Sequence, residues 1–171
     1  MGLAAEIIER TGRVPHAVWK WDRETDILTG ALKGVAKGKG GLTGSVELEG
    51  GDGSFILLDV AEGVIRGVEV VVWPDVRTVA SLSPPADTAE GDVVLPDRKA
   101  HVEVAAVEVD TPLTIETNAS ESVFRIRVGP SRRAHAVRVA DGLLVEVDVH
   151  GELAGLWLTG VPPFPQDEPA L

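Results

Sequence analysis

The chain carries the same strand–turn–strand pattern twice, and this constrains its fold more than any other feature. Segment 52–60, reading DGSFILLDV, returns as DGLLVEVDV over 141–149, and after one deletion in the turn segment 64–74 returns over 152–162. Six of the twenty aligned pairs are identical, and most of the others exchange one apolar residue for another. A repeat of this kind implies one supersecondary unit used twice, with function located where the copies diverge.

Strand signals extend the repeat upstream. Short β-branched runs bounded by Gly, Pro or Asp predict strands over 16–22, 25–33, 43–49, 54–60 and 64–73, and again over 113–118, 121–128, 134–139, 143–149 and 152–159. In the second copy Phe124, Ile126 and Val128 alternate with Arg125 and Arg127, the pattern of a strand buried on one face and wet on the other. Leu3, Ile7 and Ile8 share a helical face opposite Glu6, Glu9 and Arg10, which predicts a short amphipathic helix over 2–11 stopped by Gly12. The expected fold is mainly β: two fused five-stranded antiparallel modules, packed as a pseudo-twofold sandwich or barrel, with an N-terminal helix. The boundaries run 1–15 for the helix and entry, 16–74 for module one, and 75–100 for a Pro/Ser/Asp-rich linker with at most a strand at 92–95. An extra strand over 101–109 opens the 101–162 segment that holds module two, and 163–171 is a Pro-rich tail expected to be extended rather than packed. Two separate modules of this size would each be marginal, so one fused core is expected.

Charge and composition narrow the function classes. A net charge of −11 repels nucleic-acid phosphates and anionic membranes unless basic residues cluster. The absence of cysteine removes thiol catalysis, disulfides and zinc–thiolate sites, and fits a cytoplasmic setting. The N-terminus lacks the basic region of a signal peptide, and no run has the length of a membrane-spanning helix. Neither Gly-x-Ser-x-Gly, His-Glu-x-x-His nor a dinucleotide-binding glycine pattern occurs, and His16, His101, His135 and His150 are scattered. No cofactor is implied.

The ends of both modules share a turn grammar: an acid closing a strand, a glycine in the turn, and a second glycine within the next strand. It reads Asp59, Gly63, Gly67 in module one and Asp148, Gly151, Gly155 in module two. With the acidic turn of 21–28 running into a strand, this resembles a family of small uncharacterised bacterial proteins, a domain of unknown function. The resemblance implies a small β-fold and supplies no activity; Trp157, where the family carries an acid, and the two fused copies depart from it. From the residues alone, Asp59 and Asp148 suit turn capping, and Gly63 and Gly151 a positive φ.

Two constellations carry chemistry. Lys33, Lys37 and Lys39 lie in the second-to-third-strand hairpin of module one, and Arg125, Arg127, Arg132, Arg133 and Arg138 in that of module two, together half of the sixteen Lys and Arg. Adjacent hairpins would form an anion patch; separate ones would merely keep exposed loops soluble. The second is the strand face holding Glu146, Asp148 and His150 beside Trp157. It could supply a general acid and base or ligate a metal, and a solvated strand face produces the same letters. Phe55 and Leu57, outward in module one, need a cover, and the N-terminal helix is the candidate.

The reading that follows is a non-enzymatic binding protein that uses its basic hairpins to hold an acidic protein partner or anion, or to self-associate. The alternative is a cofactor-independent isomerase or cyclase using Glu146, Asp148 and Trp157.

Overall fold

In the computed structural model, which describes residues 2–10, 12–97 and 106–165, every regular element is a β-strand. The strands are β1 (Glu6–Ile8), β2 (His16–Trp21), β3 (Leu28–Lys33), β4 (Gly44–Glu49), β5 (Phe55–Ala61), β6 (Val64–Val72), β7 (Val76–Thr78) and β8 (Ala89–Glu90). They continue as β9 (Asp92–Val94), β10 (Ala106–Asp110), β11 (Leu113–Thr117), β12 (Phe124–Val128), β13 (Ala134–Ala140), β14 (Leu143–Asp148) and β15 (Leu153–Leu158). No described helix is long and apolar enough to cross a membrane.

The strands form two sheets. In the first, β2-β3-β6-β5-β4-β10 lie side by side, and β9 joins β6 through Val64 and Val94 and carries β1 on its far edge. The second runs β7-β11-β12-β15-β14-β13-β8. Each sheet therefore contains five antiparallel strands in the order first-second-fifth-fourth-third. Register agrees as well as order. Leu28 faces Val70 as Phe124 faces Leu158, and Arg66 and Ala154 are each a bulge residue directly before a glycine.

The pairing corrects the sequence alignment in one place. Asp59 lies opposite Gly67, while the residue opposite Gly155 is Glu146, so Glu146 and not Asp148 occupies the position of Asp59. The cause is turn length. Glu62 and Gly63 form a two-residue turn closed by Ala61 and Val64, whereas Asp148 pairs its backbone with Glu152 around a three-residue turn. Val149, the last residue of the strand predicted over 143–149, falls in that turn and is 67% exposed.

Side chains facing inward from both sheets make one hydrophobic cluster. Val46, Leu48, Ile56, Leu58 and Val68 come from the first sheet, and Ile115, Ile126, Val145, Leu156 and Leu158 from the second. Burial of each contributes about 1.5–3 kcal/mol, which drives the sheets together. Their edges interlock. The lead-in to β11, namely β10, pairs parallel with β4, and Thr111 N donates to Glu49 O. Reciprocally, the lead-in to β2 bridges the end of β13, with Ala17 N donating to Asp141 O and Asp141 N to Pro15 O.

Two expectations are corrected. Residues 2–10 are not helical. Leu3 and Ala5 are buried with Ala4 exposed between them, Ala5 N donates to Gly151 O and Leu153 N to Leu3 O, and β1 pairs with β9. A lone short helix is marginal in water, and here the sheet edges satisfy the same backbone groups. The linker holds β7 and β8 besides β9, and the residues just before the tail anchor it to the first sheet. Val161 is buried, Trp21 Nε1 donates to Pro162 O, and Phe164 meets the Trp21 ring edge-on. Of the extra strand, residues 106–109 lie in β10 while 101–105 fall outside the described residues, as do tail residues 166–171.

Glu62, at φ 48°, and Gly63, at φ 83°, form a left-handed two-residue hairpin turn. Such turns favour Asn first and Gly second, because a longer side chain strains the positive φ. Glu62→Asn should therefore raise stability by about 0.5–1 kcal/mol in thermal or urea unfolding.

Candidate functional site

The outer face of the second sheet is covered. All six residues of β14 and of β15 are buried, and Leu82 from the linker packs with Val123 on Ala136, Leu144 and Trp157. Beneath this cover, Trp157 Nε1 donates to Glu146 Oε1 at 2.8 Å, and Arg125 Nε lies 3.3 Å from the same oxygen. The Arg125 guanidinium stands over the Trp157 ring, 5.0 Å from its centroid. Neighbouring strands create this arrangement: β15 runs between β12 and β14, so outward residues of all three converge.

Asp148 belongs to a second arrangement at the end of β14. Its Oδ1 accepts from the backbone N–H of His150 and of Glu152, and its Oδ2 accepts from Arg132 Nε at 2.7 Å. Arg132 is fixed further by donating to the carbonyls of Val128, Pro130 and Leu153. Burial alone would push the Asp148 carboxyl up, but the Arg132 bond, the two N–H donors and the Arg132 charge outweigh it and hold the carboxyl below its ordinary value. Asp148 thus braces the turn that contains Gly151, at φ 73°. Asp59 is exposed mid-strand on β5, away from the Gly63 turn.

These contacts consume what looked like catalytic equipment. Glu146 and Asp148 point to different partners, and His150 is exposed. Among the described residues no group of three His, Asp or Glu side chains could hold a metal ion.

The arginines of module two are similarly engaged. Arg127 pairs with Glu116 and donates to Ser131, Arg138 pairs with Glu90 and Asp141, and Arg133 alone is exposed without an ion pair among those described. Four of the five module-two arginines are therefore paired with carboxylates rather than left free for an anion. Lys33, Lys37 and Lys39 stay exposed, and their loop has a different surrounding.

A cavity of about 180 Å3 opens beside that loop. Its apolar lining comes from Ile8, Leu32, Val35, Ile65, Val93 and Val139, and its rim carries Arg10, Arg13, Lys37 and Lys39 with the single acid Asp92. The glycines let the loop lie flat. A Cβ on Gly38 would come within 2.2 Å of Glu62 O, so the backbones touch and the lysines are left at the rim. Arg10 is held by Glu90, Gly91 O and Arg138 O, whereas no described ion pair uses Arg13, Lys37 or Lys39. The sequence singled out the lysines but not Arg10 and Arg13; Arg10 lies in the segment expected to be a helix, and the strand pairing of β1 with β9 is what carries it to the cavity.

Fold and site together define an all-β protein of two interlocked sheets, with an ionic network on the covered outer face of one sheet and a basic-rimmed cavity at the edge of the other. No family model matches the chain, and no curated protein does.

Proposed function

We propose that the protein is a non-enzymatic binding protein that holds a small anion with an apolar body in the cavity beside the lysine loop. The supporting observation is the combination of an apolar interior with three cations, Arg13, Lys37 and Lys39, that no described carboxylate neutralises. In a protein of net charge −11, leaving three cations unpaired around one concavity suits an anionic ligand. The volume, about six waters' worth, suits a short carboxylate or phosphomonoester rather than a nucleotide. The shared strand order and register support a scaffold that arose by internal duplication, in which only the first copy's hairpin serves the ligand, and the absence of cysteine fits a cytoplasmic location. The enzymatic alternative finds no support, since both Glu146 and Asp148 are committed to internal partners.

Benzoate and phenyl phosphate are suitable probes. Titration followed by NMR should give saturable shifts in residues 35–40, and Lys37→Glu with Lys39→Glu should weaken binding by about tenfold or more while leaving the melting temperature within a few degrees. Absence of saturable shifts, or equal affinity in the double variant, would overturn the reading.

A further inference from the structure

The outer face of the first sheet contrasts with that of the second. There Phe55 and Leu57, for which an N-terminal helix was the expected cover, remain half-buried, whereas every residue of β14 and β15 is buried. Above β3, β5 and β6 runs a groove of about 350 Å3, with Gly67 and Leu57 in its floor and Thr29, Asp59, Arg66 and Glu69 around it.

The second sheet shows what this geometry accommodates. By register, Thr29 faces Glu69 as Arg125 faces Trp157, and Asp59 faces Gly67 as Glu146 faces Gly155. Arg125 thus occupies the place of Thr29, Glu146 that of Asp59, and Trp157 that of Glu69. On the second sheet a Cβ on Gly155 would come within 3.3 Å of Glu146 Oε1, so the glycine makes room for the carboxylate, and that carboxylate holds the guanidinium on one side while the indole faces it on the other. On the first sheet the glycine and the acid are retained. A second acid replaces the indole, and the arginine is replaced by threonine, whose hydroxyl donates to Glu69 at 3.3 Å. The result is a guanidinium seat with both carboxylates in place and its cation removed.

The surrounding charge has the matching sign. Glu47 and Glu49 on β4 lie beside Glu108 and Asp110 on β10. No described ion pair involves these four, Asp59 or Glu69. Burial and repulsion from Glu108, Asp110 and Glu47 hold the Glu49 carboxyl above its ordinary value, the condition of a face that gains from an added cation. Arg66, the only base in the groove, is the bulge residue and has its counterpart in Ala154 rather than Arg125.

We propose that this groove receives an arginine side chain from a partner polypeptide, its guanidinium lying over Gly67 between Asp59 and Glu69. Planar, forked donors suit two carboxylates better than an ammonium does. Phe55 and Leu57 then give the partner's backbone an apolar surface to cover.

The full-length chain, labelled with 15N, can be titrated with an acetylated and amidated glycine–arginine–glycine peptide, and with the same peptide carrying citrulline or lysine. The arginine peptide should give saturable shifts confined to residues 29–31, 57–59 and 66–69, and the neutral citrulline peptide should bind at least about tenfold more weakly. Asp59→Asn combined with Glu69→Gln should abolish the shifts. Thr29→Arg should also abolish them while preserving the melting temperature, because it supplies from within the side chain that the groove lacks. Shifts located elsewhere, no saturable shifts, equal binding by citrulline or lysine, or undiminished binding by the Thr29→Arg variant would each overturn the assignment.

Discussion

Replacing Glu146 with alanine should lower the unfolding free energy by about 3–5 kcal/mol, a large part of what holds a domain of this size together. Glu146 is only 7% exposed and serves two groups at once, the indole N–H of Trp157 and the guanidinium of Arg125. Its removal leaves a buried donor without an acceptor and a cation without a counter-charge, and each carries its own desolvation penalty. The side chain of Arg125 is 26% exposed and can recover some water, which places the expected value toward the lower end. Glu146→Gln, which can still accept from Trp157, should cost about half as much. Urea unfolding followed by tryptophan fluorescence measures both, and a loss below about 1 kcal/mol for the alanine variant would show that the pair contributes little.

Asp148→Ala should cost about 2–4 kcal/mol, because one carboxylate both closes the β14–β15 turn and neutralises Arg132 in a buried setting. Its pH dependence has a definite sign. The folded carboxyl titrates below its ordinary value, so its contribution is fully present above the unfolded value and is lost as pH falls through the folded one. Wild-type stability should therefore decline on acidification below about pH 4, and the Asp148→Ala variant should show a shallower decline over the same interval. Parallel pH profiles for the two proteins would remove Asp148 from the account of acid sensitivity.

The strands of both modules were legible because alternation is written locally. Ile56, Leu58 and Val60 point inward in β5 as Val145 and Val147 do in β14, and a period of two needs no knowledge of the partner strand. Register was less accessible. The equivalence of Asp59 with Glu146 depends on one extra residue in a turn, and the repeated letters DV pulled the alignment onto Asp148 instead. The Arg125–Glu146–Trp157 contact was hidden for a related reason. All three residues stood out in the sequence, but in separate groups, and only the insertion of β15 between β12 and β14 brings them together. The N-terminal segment misled through its length: over ten residues a helical face and an edge strand share too many letters to separate, and the Gly151 carbonyl and the Leu153 amide settle the matter from outside the segment.

The reciprocal edges have a consequence for how the chain is made. β4 receives its outer neighbour only from β10, so while residues 16–72 are complete on the ribosome the row of amide and carbonyl groups along 44–49 still awaits strand 106–110. During that interval the nascent first sheet presents an open template to any extended polypeptide nearby. Separating the halves at the linker would make the interval permanent, since each half would carry the strap that the other needs. Aggregation of either half expressed alone, relieved by co-expression of its complement, is the behaviour that such mutual dependence requires.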